Sequence, residues 1–430
     1  MATSRQLREQ IAAGRWDAAL AALYGGSEEV LSRQRSRYSA ALEQFELYYG
    51  PERQVQVYSA PGRTELGGNH TDHQHGYGLA GAVTLDLVAV ASRNEDGFIR
   101  VKSRGFNKLD VIDLTEAEPQ QGESTHSASL IRGIAEGFRG KGCNVGGFDA
   151  YTASDVLRGS GLSSSAAFEM GMAMILNTEY GCGMDAPALA RICQFAENTY
   201  FGKPSGLLDQ LTSAVGGVLF ADFADPTAPK IEKIHADGVL PEGMTLCVTD
   251  TRASHSELTG EFAAIRNEME AVAACLGGRV LGEVEEKHFW QELPRLREQC
   301  GDRAVLRAIH YFEENARTLA QRDALAAGDF AAFARLVEKS GHSSFECCQN
   351  VYCASSPKHQ GLSVALAISQ SILAGTGGAW RMQGGGFAGT IQAFVPDALI
   401  KRYCAAMEAL FGPGCCYLLS LREQGAVRVM

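Results

Sequence analysis

Three glycine-rich stretches, at Gly62–Gly81, Gly159–Ser165 and Gly384–Gly389, break up a chain of 430 residues. Their uneven spacing argues against an internal repeat, so each has to be explained by its own chemistry. The middle stretch reads Arg158-Gly-Ser-Gly-Leu-Ser-Ser-Ser-Ala-Ala and runs into the helix formers Ala166–Met170. Glycines let the backbone approach a ligand, hydroxyls follow, and the helix that starts there offers unpaired N–H groups to an anion. Alone, the stretch would also suit a serine-rich helix cap. It lacks the Gly-Lys-Ser/Thr that a P-loop requires, and a Rossmann cofactor site is disfavoured with it. The first stretch, Ala60–Gly76, sets Arg63, Glu65, Asn69, His70, Asp72 and His73 between glycines just after a strand-like run. Side chains of that kind make poor core and can grip a polyhydroxylated ligand, or else line a solvated loop. His70, His73 and His75 lack a supporting Cys or carboxylate frame of known metal type. The third stretch, Gly384-Gly385-Gly386-Phe387-Ala388-Gly389, requires positive φ or very close packing before an apolar strand.

Between these stretches the texture is α+β. Residues 1–50 carry helical periodicity and form a preface, and Val55–Tyr58, Leu85–Ala91 and Ile99–Val101 read as strands, with a turn at Pro61-Gly62. Helices are expected at Ala166–Leu176, Ala188–Thr199, Glu257–Leu276 and Asp323–Lys339, and strands at Leu246–Thr249 and Gly389–Val395. The polar segment Asp222–Pro229 suggests a boundary, giving domains 51–225 and 226–430 after the preface.

Composition narrows the function classes. With 45% hydrophobic and 21% charged residues the chain is ordinary globular material. The 39 Lys+Arg against 50 Asp+Glu give a net charge of −11, which disfavours nucleic acid and anionic membranes as partners. Any anionic ligand must be held locally. The twelve cysteines show no zinc-type spacing and read as reduced thiols of a cytoplasmic protein. The most apolar run, Leu79–Ala91, is short and interrupted by Asp86, and no signal peptide or membrane span is expected.

In chain order, the three stretches resemble the motifs of the GHMP small-molecule kinases, and within them the galactokinase group. Arg63–Gln74 is similar to that group's sugar signature, Gly159–Ser165 to its phosphate loop and Gly384–Phe387 to its Gly-Gly-Gly-Phe motif. Similar linking segments at Cys193–Gln210, Thr251–Arg266 and Leu336–Leu362 extend the resemblance over Val55–Val395. It implies a two-domain α+β GHMP kinase fold with mixed sheets, an active site in the interdomain cleft, and phosphorylation of a hexose at its anomeric C1 hydroxyl by ATP with Mg²⁺.

By the same resemblance Asp209 faces the sugar's anomeric hydroxyl with Arg63 as its cationic neighbour, and Glu65, Asn69, His70, Asp72, Gly206 and Phe262 contact the sugar. Gly159, Ser160, Gly161, Leu162, Ser163, Ser164 and Ser165 hold ATP, Ser165 and Glu197 hold Mg²⁺, and Gly384, Gly385 and Gly386 form a structural turn. The chain departs from the group's usual signature, Arg-x-Asn-Leu-Ile-Gly-Glu-His-Thr-Asp-Tyr-Asn. It has Glu65 for Asn, Gly67 for Ile, Asn69 for Glu, His73-Gln74 for Tyr-Asn, and Phe262 for a Tyr. These changes keep open a kinase for a C6-modified sugar such as galacturonate beside the galactose reading. A sugar-and-ATP sensor without turnover is a third reading.

Overall fold

The computed structural model describes residues 2–120, 122–156, 161–203, 205–253 and 259–430. After a short strand β1 (Ala2–Thr3), the preface forms helices α1 (Ser4–Ala12), α2 (Asp17–Tyr24) and α3 (Glu28–Tyr49). Thr3 and Gln6 close a reciprocal capping box on α1, and Ser27 caps α3 through its hydroxyl. The chain then enters a mixed sheet built on two long antiparallel strands, β2 (Gln54–Gly67) and β3 (Tyr77–Arg93), followed by β4 (Phe98–Ser103), β5 (Leu109–Asp113) and β6 (Phe148–Ser154). Beyond β2, the strand β3 pairs with β6 along its C-terminal half and with β7 (Val218–Asp222) along its N-terminal half. Helices α4 (Ser127–Gly140), α5 (Ser164–Glu179), α6 (Ala186–Phe195) and α7 (Leu208–Val215) pack on one face of this sheet.

Side-chain alternation explains the layering. Val55, Val57, Val88, Val90, Tyr151 and Ala153 pack against Leu20, Tyr38, Leu42 and Phe45 of the preface. Their neighbours Tyr58, Ala60, Ala89, Ala91 and Ala150 join Phe138, Ala167 and Met170 on the opposite face. A strand buried on both faces reads as an unbroken apolar run, which is why Leu79–Ala91 looks so hydrophobic. Asp86, the interruption in that run, is fully buried. Arg37 donates to its Oδ1 (2.6 Å), while Tyr24 (2.5 Å), Arg422 (3.1 Å) and Ser59 donate to Oδ2. Burial pushes the Asp86 carboxyl up, but the two guanidinium groups and two hydroxyls outweigh it and hold the group below the usual carboxylate range.

The second domain contains an antiparallel sheet ordered β10-β11-β9-β12, from β9 (Met244–Asp250), β10 (Ala379–Met382), β11 (Thr390–Pro396) and β12 (Cys416–Leu419). Around it lie α8 (Thr259–Cys275), α9 (Glu286–Gln291), α10 (Leu293–Cys300), α11 (Asp302–Ala326), α12 (Phe330–Ser343), α13 (Gly361–Leu373) and α14 (Asp397–Phe411). Among the described residues no helix is long and apolar enough to cross a membrane.

The structure differs from the sequence expectations at four places. Pro61-Gly62 is no turn: it lies inside β2 at a register shift, a β-bulge where two strands could have separated but do not. The pattern over Asp323–Lys339 is two helices, because the chain turns at Ala327–Asp329 and Asp329 caps α12. The expected helix to Thr199 becomes a π-helical segment from Ala196 to Phe201. The polar segment after Asp222 is the loop of a hairpin whose second strand, β8 (Lys230–Ile234), still belongs to the first sheet. Residues 421–428 also return there, through a Val83–Leu421 bridge and a last strand, β13 (Val427–Arg428), on β2.

Candidate active site

Two adjoining cavities open between the domains and share Arg63, Asp209, Gly384 and Gly385. The smaller, about 170 Å³, is also lined by Glu65, Gly68, Asn69, His70, Asp72, Ser205, Gly206 and Leu208. The larger, about 450 Å³, is also lined by Gly161, Ser163, Ser164, Ser165, Lys203, Gln383, Ala388 and Thr390. The three glycine-rich stretches thus meet around one pair of side chains.

Arg63 reaches this position through the bulge. A Cβ on Gly62 would stand 2.7 Å from the Leu162 carbonyl, and that carbonyl accepts from Arg63 N (3.0 Å), so the strand lies directly on the middle stretch. Arg63 Nε donates to Asp209 Oδ1 (2.7 Å), and its Nη1 donates to the Gly161 carbonyl. Asp209 sits in the first turn of α7. Burial pushes its carboxyl up, yet Arg63, the Ser163 hydroxyl and Lys203 prevail and hold it below the ordinary range. Ser163 occupies the N-cap position of α5 with φ +56°, but its hydroxyl does not cap the helix and donates to Asp209 instead. The first N–H groups of α5 therefore stand beside the larger cavity without a side-chain cap.

Around the smaller cavity, Asn69 is nearly saturated by protein partners. Its Nδ2 donates to Glu65 Oε1 (2.9 Å) and to the Gly384 carbonyl (2.7 Å), and its Oδ1 accepts from Asn350 Nδ2 (2.8 Å). Glu65 Oε1 also accepts from Arg381 Nη2 (2.7 Å). The signature's Asn and Glu have changed places, and in this chain the two side chains are bonded to each other. The cavity keeps a carboxylate, supplied by Glu65. Burial raises the Glu65 carboxyl above its usual range against the pull of Arg381 and Arg63. Burial likewise raises Asp72, whose Oδ1 accepts from His73 N (2.8 Å). A Cβ at Gly206 would collide with Asp72 Oδ2, so that glycine is fixed by space.

His70 adopts φ +59° and places Nε2 2.9 Å from the Gly385 carbonyl. Burial pushes its pKa down to about 4, so the ring is neutral at pH 7. The His73 ring stands edge-on to it at 5.7 Å and contacts Gln74 through Nδ1 (3.1 Å). In the third stretch Gly384, Gly386, Phe387 and Gly389 have positive φ, whereas Ala388 does not, which is why its methyl is accommodated. A Cβ on Gly386 would strike the Asn350 carbonyl.

Beside the larger cavity, Ser165 Oγ donates to Glu197 Oε1 (3.2 Å), which also accepts from Lys203 Nζ (2.7 Å). Gln210 Nε2 donates to Glu197 Oε2 (2.9 Å) and to Glu169 Oε2 (3.2 Å). Glu197 lies in the π-helical segment, where the irregular turn aims it inward. Burial lowers the Lys203 ammonium, but Glu197 and Asp209 more than compensate and keep it protonated.

Phe262 lines neither cavity. Its ring stands edge-on to Phe387 at 5.4 Å and lies behind Gly385, where a Cβ would come within 2.5 Å of it. Without a hydroxyl to reach the ligand, the aromatic ring is drawn into the apolar cluster of the second domain. Leu162, predicted to contact ATP, is instead fully buried within the middle stretch. Gly159 and Ser160 lie outside the described residues, as does the segment 254–258 that precedes Phe262. Sequence reasoning missed Lys203, Arg381, Asn350 and His310. Lys203 beside Gly202 and Arg381 three residues before Gly384 were visible as local cations, whereas Asn350 and His310 carry no local signal.

Comparison with known proteins agrees with this geometry. The profile of the GHMP kinases N terminal domain matches residues 129–217, and that of the galactokinase galactose-binding signature matches residues 43–93. The chain is 34% identical over 375 residues to a galactokinase of Streptomyces coelicolor, covering 86% of this chain and 92% of that one. Among solved structures, the galactokinase of Lactococcus lactis complexed with galactose superposes with a TM-score of 0.77 at 24% identity, covering 91% of this chain and 99% of that one. A mevalonate kinase superposes at 0.61 with 15% identity over 86% of this chain and 99% of the other, a likeness of fold. A sugar-signature loop, a serine phosphate loop and a glycine turn closing on one Arg–Asp pair are thus accompanied by similarity along most of the sequence: the chain belongs to the galactokinase family of GHMP kinases.

Proposed function

We propose that this sugar kinase transfers the γ-phosphoryl group of ATP to the anomeric C1 hydroxyl of galactose. The observation that carries the reading is the position of Asp209, on the wall common to both cavities and held ionised by Arg63. Galactose occupies the smaller cavity and the ATP phosphates the larger, so the C1 hydroxyl and the γ-phosphorus meet at Asp209. The carboxylate accepts the hydroxyl proton or a hydrogen bond that orients the oxygen for in-line attack. Arg63 keeps Asp209 charged, and the Ser163 hydroxyl fixes its second oxygen. Phosphate oxygens are received by the N-terminus of α5 and by Lys203. Ser165 and Glu197, two hard oxygen donors 3.2 Å apart, fit Mg²⁺. Bound there, the cation would neutralise charge on the phosphate oxygens.

The acceptor follows from the acidic lining of the smaller cavity. Removing the signature's Glu at position 69 would relieve repulsion of a C6 carboxylate, but Glu65 restores a negative group next to it. A carboxylate about 4 Å from Glu65 would be repelled by roughly 4 kcal/mol at an effective dielectric near 20. A neutral hexose is therefore favoured over galacturonate. The test is a coupled ADP-release assay with ATP and Mg²⁺ against galactose, galacturonate, N-acetylgalactosamine, glucose and talose. Galactose is expected to lead in kcat/KM, with galacturonate at least about 100-fold lower, a difference of about 2.7 kcal/mol. Asp209→Asn is expected to abolish turnover while ATP still binds and the protein still unfolds cooperatively. Turnover of the Asn variant within tenfold of wild type would overturn the assignment of Asp209.

A further inference from the structure

We propose that Cys247, Cys404 and Cys416 form a binding site for one soft, thiophilic divalent cation, zinc(II) by its chemistry, separate from the kinase cleft. Sequence spacing gives no hint of it, because the three residues come from three elements: β9, α14 and β12. The register explains how they meet. Cys416 is the cross-strand partner of Thr249, and Cys247 lies two residues before Thr249 on the same strand, so all three point to one face of the sheet. Helix α14 packs against that face and brings Cys404 to it. The three sulfur atoms lie within 4.8 Å of one another, and they are the one such set of possible metal ligands among the described residues.

Two features favour a ligand set over inert packing. Cys247 is buried, but Cys404 and Cys416 are only half-buried, so the cluster has a route to solvent. Thr249 Oγ1 stands 3.7 Å from the Cys416 sulfur and 4.0 Å from that of Cys247, a polar neighbour in reach of both. Tetrahedral zinc with sulfur at about 2.3 Å requires sulfurs about 3.8 Å apart, a small contraction from the present spacing that side-chain rotation can supply. The fourth position is left to water. Thiolate donors select soft cations and discriminate against Mg²⁺, so the site does not compete with the one beside Glu197. Binding replaces the thiol protons, which leave to solvent as the sulfurs coordinate.

The test uses the full chain, purified under reductant and stripped with chelator. Co²⁺ is titrated as a spectroscopic probe and Zn²⁺ is then added in competition, both in weak buffer. We expect one equivalent to bind, with thiolate-to-cobalt charge-transfer bands that Zn²⁺ abolishes and excess Mg²⁺ does not, and with measurable proton release. Cys404→Ser and Cys416→Ser should each weaken binding by more than the roughly 100-fold that loss of an outer partner costs, with kinase activity unchanged because neither lines the cleft. Zn²⁺ should also protect Cys404 and Cys416 of the wild-type protein from alkylation, a readout that needs no variant. Absence of charge-transfer bands, binding that persists in the Cys404→Ser/Cys416→Ser double variant, or equal alkylation with and without Zn²⁺ would overturn the site.

Discussion

At Arg63 a break in the β2–β3 register lies beside the guanidinium: from Pro61 to Arg63 β2 advances two residues while β3 advances four, from Asp86 to Ala82. Just past this shift Arg63 Nε reaches Asp209 Oδ1, and Gly62 makes room for the Leu162 carbonyl that lies against it. Lys203 is the second cation at the junction, 2.7 Å from Glu197. Lys203→Met is expected to lower kcat at least about tenfold, about 1.4 kcal/mol of transition-state stabilisation, with the galactose KM nearly unchanged, as steady-state kinetics would show. Gly206→Ala should act in the opposite way: its methyl displaces Asp72, so the sugar KM rises while ATP affinity measured by calorimetry stays the same. Most residues lining the two cavities were legible because glycines and hydroxyls in a fixed order carry their chemistry locally. The pairing of Glu65 with Asn69 was not, since two substitutions four residues apart reveal an exchange only when the loop folds them together. Phe262 misled for a related reason: the chain order gives a position near the sugar, and packing decides which side of Gly385 the ring takes.

Among the elements, α11 does most to bind one domain to the other. His310, Glu314 and Gln321 fall on one helical face, and all are fully buried. His310 Nε2 meets the Asn69 carbonyl (3.0 Å), Glu314 accepts from Gly68 N (3.2 Å), and Gln321 donates to the Leu66 carbonyl (3.2 Å). A buried polar stripe of this kind looks like a solvated helix face in the sequence, so α11's role could not be read there. The preface helices are fastened in a similar way by Asp86. Asp86→Asn is expected to cost about 3–5 kcal/mol in urea unfolding, because it leaves Arg422 buried without its counter-charge and Arg37 with Asp155 alone. The stabilisation is tied to the ionised carboxylate, whose folded pKa is depressed. It is fully present above the unfolded value of 3.8 and is lost as pH falls through the folded value. The stability difference between wild type and variant should therefore shrink on acidification below 3.8.

For the molecule as a whole, the layered first domain was legible as alternating and continuous apolar patterns, and the separate second sheet as short strands between helices. Its closure was not legible, because it depends on pairings between residues far apart in sequence. Deleting residues 1–50 is expected to uncover Val55, Val57, Val88 and Val90, giving a protein that binds a hydrophobic dye and aggregates, as light scattering would show. The same sheet receives Arg422 at Asp86 and the strand Val427–Arg428 on β2. On the ribosome, the outer edge of β2 therefore waits, unpaired along that stretch, while the entire second domain is synthesised. Its partner strand emerges only after that domain, so the nascent first domain meets translation with an open edge that a chaperone, or a neighbouring nascent chain, could engage.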